Sequence, residues 1–66
     1  MDDSWWLDRA KDAISQIESE KDLRVFLDGW ASELSGAFMD HFSLEYVTCL
    51  LAMMNFVVGV YHGRKN

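Results

Sequence analysis

The chain has no proline, one cysteine and only four glycines in 66 residues. Without proline, no helix is forced to break by a missing N–H or a ring clash. A lone cysteine excludes an internal disulfide framework and fits a reducing compartment, which points to the cytoplasm. Cys49 lies within an apolar run and reads as a small buried hydrophobe rather than a reactive thiol. The start, MDDSWW, is acidic and lacks the basic n-region of a secretory signal. The most telling absence is of charge. From Tyr46 to Gly63 (YVTCLLAMMNFVVGVYHG) there is no Asp, Glu, Lys or Arg, whereas the preceding 45 residues carry fifteen.

Half of the residues are apolar and 14% are aromatic, which argues against disorder. The length allows one domain, residues 1–66, with a thin core near the lower limit for folding without staples. Residues 1–45 hold all eleven acids against four bases, a net of −7, and residues 46–66 hold only Arg64 and Lys65. An acidic body repels nucleic-acid phosphates, so direct DNA or RNA binding is not expected. Solubility is the plain reading of this acidity; mimicry of nucleic-acid phosphates is the sharper alternative, weakened by the interspersed bases.

The apolar pattern predicts an all-α fold of three segments. In the first, about residues 4–19, Trp6, Leu7, Ala10, Ala13, Ile14 and Ile17 share one stripe. Asp3 or Ser4 is placed to cap it, with acids at the positive end of its dipole. Trp5 falls outside that stripe and either folds back over the helix start or meets something outside the chain. In the second segment, about residues 21–35, Leu23, Leu27, Trp30 and Leu34 recur at steps of four, three and four. The polar residues Glu18 to Asp22 between them predict a tight turn and a helical hairpin; one long helix is the alternative. Gly36 is placed to end the second segment in a left-handed cap, leaving Met39–Phe42 as a connector. Ser43 suits the N-cap of a third helix over about residues 44–62, with Gly63 as its stop.

That third helix sets the functional expectation. Its narrow face carries Glu45, Thr48, Ala52, Asn55, Gly59 and His62, and large apolar side chains cover most of the rest. A surface helix needs only about 100° of apolar stripe. The hairpin covers one side, and the apolar surface left over predicts self-association, with a symmetric dimer favoured. Leu50, Leu51, Met54, Asn55, Val58 and Tyr61 are the candidate contact residues. Asn55 could pair across a two-fold axis and fix register, or bond within its own subunit. The alternative is a small membrane-inserted protein with residues 46–63 in lipid, Tyr46 and Tyr61 as interfacial anchors and Arg64–Lys65 as a flank. The amphipathic hairpin argues against it, because its stripes need a core to cover.

Little points to chemistry. Asp40, His41 and Glu45 form the one constellation worth naming, yet a metal site needs further ligands and His62 lies far along the helix. No nucleophile–base pair, glycine-rich phosphate loop or CxxC motif is present, so no catalytic residue, metal or cofactor is expected. The expectation is a small, non-enzymatic accessory, regulatory or inhibitor module that acts through protein–protein interaction on an unidentified target. Trp5, Met39 and Phe42 are the candidate anchors for such a partner.

Overall fold

The structure is a computed structural model that describes residues 4–40 and 43–65, with side chains for all of these but Lys65. Three helices follow one another: α1 (Trp5–Gln16), α2 (Glu20–Asp40) and α3 (Leu44–Lys65). The described residues contain no strand. The β-branched residues of α3 are therefore helical, as the length of its apolar run favours. Helix α3 is the spine, and both other helices pack on it, α1 more extensively than α2.

The first two helices are separated by a capping arrangement rather than by a helix breaker. Ile17 is extended (φ −85°, ψ 115°), and its N–H returns to the carbonyls of Ala13 and Ile14. The Ser19 hydroxyl then accepts the N–H of Asp22 at 3.3 Å, and the Asp22 carboxylate accepts the N–H of Glu18 at 3.0 Å. This reciprocal exchange is a variant of the capping box, in which N-cap and N3 side chains satisfy otherwise orphaned donors. It fixes where α1 ends and α2 begins, and it disposes of the single long helix. At the start of α1 the Ser4 carbonyl receives the N–H groups of Leu7 and Asp8, and its hydroxyl makes no cap bond. Asp3, the other candidate cap, lies outside the described residues.

Neither glycine ends a helix. Helix α2 runs past Gly36 to Asp40, α3 runs past Gly63 to Lys65, and no described glycine has positive φ. A helical glycine costs about 1 kcal/mol relative to alanine. Leu34, two residues before Gly36, packs against the core, and Ala37 just after it is half-buried. The connector thus shrinks, and Met39 belongs to α2. Ser43 does cap α3: its hydroxyl accepts the Tyr46 N–H at 3.3 Å and its carbonyl the Val47 N–H at 3.0 Å.

The core joins Ala10, Ala13 and Ile17 to Leu23 and Trp30 and to Leu50, Met53, Val57 and Tyr61 of α3. Ala10 and Ala13 are completely buried or nearly so, and such small side chains let the α1 backbone approach the spine closely. Trp6 meets Phe56 edge-on at 6.3 Å, and Phe26 tilts against Trp30 at 5.5 Å. These separations are those at which aromatic quadrupoles attract.

Candidate self-association surface

The three helices are tied together at one end by four side chains. The Arg9 guanidinium donates to both carboxylate oxygens of Glu33, at 3.2 and 3.0 Å, a two-pronged pair linking α1 to α2. The Tyr46 hydroxyl of α3 donates to the same carboxylate. Trp5 lies flat on the Tyr46 ring at 5.4 Å, and Arg9 sits 5.8 Å from the Trp5 ring centre, within reach of its negative face. Trp5 therefore packs on α3 of its own chain, neither over the start of α1 nor on something outside the chain. The hydrogen bonds from Arg9 and then Tyr46 hold the Glu33 carboxyl below its ordinary range. The bond to Glu33 raises the Tyr46 hydroxyl above its own, and the same carboxylate raises Arg9.

The signs of these shifts define a pH window. Stability from Glu33 is present above the ordinary carboxylate range and is lost as pH falls through its lowered value. Stability from Tyr46 is present below the ordinary phenol value and is lost as pH rises through its raised value. Replacing Tyr46 by Phe keeps the stack on Trp5 and removes one charge-assisted hydrogen bond. The expected loss is about 1–2 kcal/mol, together with loss of the alkaline limb of the stability profile. Chemical denaturation of both proteins from acid to alkaline pH checks this.

At the other end, the Arg64 side chain donates to the Ile14 carbonyl at 3.3 Å, near the negative end of α1. A shallow cavity of about 420 Å³ lies beside it, lined by Ile17, Glu18, Tyr61 and Arg64. Glu18 and Arg64 give its rim opposite charges, so it favours no ion of either sign. Cys49 is buried. Among the described residues, no three of His, Cys, Asp and Glu gather as a metal site; His41 lies outside them.

The surface that stands out is the outward face of α3. Leu50, Met53, Val57 and Tyr61 point inward and are taken up by the core. This orientation turns Leu44, Thr48, Leu51, Asn55 and His62 into solvent, with Val58 half-buried on the same line. Steps of four and three alternate along this set, the spacing of the two inward positions of a heptad repeat. Leu44, Leu51 and Val58 occupy d positions; Thr48, Asn55 and His62 occupy a positions. Leu44 is 69% and Leu51 50% exposed, so apolar area stands unpaired along the stripe. Ala52 and Gly59 flank it on one side and half-buried Met54 on the other, and nothing lies within 4 Å of where a Gly59 Cβ would sit. A facing helix could therefore approach closely.

The candidate contact residues are thus divided. Leu50 and Tyr61 serve the monomer's own core, Leu51 and Asn55 are exposed, and Met54 and Val58 are half-buried between the two roles. Of the candidate partner anchors, Trp5 is engaged within the chain, Met39 is exposed at the end of α2, and Phe42 lies outside the described residues. The Arg9–Glu33–Tyr46 cluster had no local signature, since its members come from three helices. No protein-family model, curated protein or solved structure matches this chain.

Proposed function

We propose that this chain is a small, acidic, non-enzymatic cytoplasmic interaction module that self-associates by pairing α3 with α3 of a second copy. The observation that carries the reading is the outward d/a stripe from Leu44 to His62. Two acidic chains repel through most of their surfaces, and this stripe is the uncharged strip along which they can meet. Leu44 and Leu51 at d with a single Asn55 at a is the combination in which one polar a residue specifies register and oligomer state. An in-register pair would place Asn55 against Asn55 and Leu51 against Leu51. The stripe spans about 27 Å at 1.5 Å per residue. That is short for a coiled coil, so a modest affinity is expected. A dimer of this kind would act as an accessory, regulatory or inhibitor protein by presenting paired surfaces to a larger target.

Sedimentation equilibrium in detergent-free buffer over a wide concentration range tests the proposal. A reversible monomer–dimer equilibrium supports it. The Leu51→Ser variant should weaken the dimer at least tenfold, because each buried Leu contributes about 1.5–3 kcal/mol. A strict monomer at every concentration would refute it.

A second reading has one specific observation behind it. The segment Leu44–Arg64 is long and apolar enough to cross a membrane, and only 33% of its most apolar window is buried within the bundle. On that reading α3 would leave the hairpin for lipid. Two features weigh against it. Tyr46 is bound to Glu33, and Tyr61 is buried in the core, so neither ring is directed to a headgroup region. Aggregates that only detergent resolves would favour the membrane.

A further inference from the structure

The outward stripe of α3 ends on a titratable side chain. Its d positions, Leu44, Leu51 and Val58, carry no charge, and neither do Thr48 and Asn55 at the first two a positions. The third a position is His62, which is exposed. Histidine is the side chain whose ordinary titration falls between pH 5 and 8. The groups around it are these. On α3, Tyr61 meets the imidazole edge-on at 6.1 Å, and Arg64 reaches across to the Ile14 carbonyl of α1. Glu45, the one acid of α3, is at the opposite end of the helix. Glu18, just after α1, shares a cavity with Tyr61 and Arg64, on the side of α3 that packs on the rest of the bundle. Glu20, Lys21 and Arg24 at the start of α2 line a separate hollow. The stripe itself therefore offers His62 no carboxylate.

In a parallel, in-register pair the a positions meet across the axis, so His62 faces His62 of the second copy. The adjoining d positions are Val58 and residue 65, a lysine in the sequence. Two neutral imidazoles suit that arrangement, because the N–H of one can donate to the bare ring nitrogen of the other. Two imidazolium rings do not. Every ring nitrogen then carries a proton, no acceptor remains between them, and like charges at close range repel. We propose that His62 makes self-association pH-dependent: the pair holds while both rings are neutral and separates as they take up protons. The inference rests on the self-association reading in its parallel form. Its sign is opposite to the general effect of acid. Each chain has a net charge of −5 with His neutral, so acidification otherwise lessens mutual repulsion and favours pairing. The Arg9–Glu33–Tyr46 tie within each subunit keeps its charges over the same range, because Glu33 is held below the ordinary carboxylate values.

Sedimentation equilibrium of the full chain at pH 8.0 and pH 5.5, at constant ionic strength, tests this. Each proton that must leave before two chains can pair weakens association by up to about tenfold per pH unit below the titration of the free ring. The expected result is a dissociation constant at least about tenfold higher at pH 5.5 than at pH 8.0. His62→Gln should abolish that rise, whatever its affinity at pH 8.0, and leave the opposite trend due to lower net charge. His62→Arg, charged at both pH values, should associate as weakly at pH 8.0 as the parent does at pH 5.5. Circular dichroism at both pH values checks that the helices persist; position 62 is exposed, so folded variants are expected. A dimer equally tight at the two pH values, or tighter in acid, would overturn the proposal and leave self-association standing. Acid weakening that His62→Gln does not remove would also overturn it. A strict monomer at both pH values would remove the self-association reading and this proposal with it.

Discussion

Leu50→Ala should unfold much of the protein, whereas Leu51→Ala should leave the isolated subunit almost as stable as before. The two residues are neighbours of identical chemistry on one helix, and only their direction differs. Leu50 is 0% exposed and belongs to the cluster that joins all three helices. Truncating a fully buried leucine costs about 2–5 kcal/mol, the removed methyl groups and the remaining cavity both contributing. A 66-residue domain has only about 3–10 kcal/mol in total at typical values per residue. The substitution therefore removes a large share of it and should lower the melting temperature by more than about 10 °C. Leu51 is half exposed and loses little by truncation; surface changes usually fall within about 0.5 kcal/mol. The measurement is thermal unfolding at a concentration where the subunit is monomeric. Equal losses at the two positions would mean that α3 is rotated from the orientation described. That result would also remove the basis of the self-association proposal.

The contrast between these two leucines marks what could be read in the sequence and what could not. Periodicity identified the inward faces of α1 and α2, because each has one apolar stripe and a charged remainder. Trp6, Leu7, Ala10, Ala13, Ile14 and Ile17 are all buried or half-buried as that stripe requires. Helix α3 offered no such contrast. With apolar residues over most of its circumference, its rotation is decided by how α1 and α2 fit around it, and the sequence does not encode that fit locally. The heptad spacing from Leu44 to His62 was present in the letters. It was masked by the equally apolar Leu50, Met53, Val57 and Tyr61, which become separable from Leu51 only once the core is assembled.

Helix ends divide along a similar line. Ser43 acts through its own neighbours, three and four residues on, and such local hydrogen bonds are legible. Ser19 and Asp22 act in the same way, and their spacing was a usable signal for the α1–α2 boundary. Gly36 and Gly63 gave the opposite lesson. A glycine permits a left-handed cap without demanding one, and α2 continues through Gly36 to Asp40. The pairing of Arg9 with Glu33 spans 24 positions, and only the folded arrangement of helices brings it about.

Asn55→Leu should strengthen self-association while destroying its single geometry. Asn55 lies near the middle of the outward stripe, at an a position with Leu51 and Val58 at the d positions on either side. In a parallel, in-register pair the two Asn55 amides can hydrogen-bond to one another. In an antiparallel pair each would oppose Leu51, and an unmatched buried amide costs about 1–3 kcal/mol. A polar residue at one a position thus selects register and strand number at some expense of affinity. Leucine removes both the penalty and the selection. The expected result is tighter association that no longer fits a monomer–dimer equilibrium alone. Orientation can be read separately with Thr48→Cys, an exposed a position one heptad before Asn55. In the parallel arrangement the two introduced thiols face each other and should form a linked dimer readily under mild oxidation, while buried Cys49 in the parent chain should not. Adding Asn55→Leu should reduce that linkage even as association rises, because antiparallel and higher-order pairings separate the thiols. Linkage that is rapid with Leu at position 55 and equally rapid with Asn would show that the amide does not set the register.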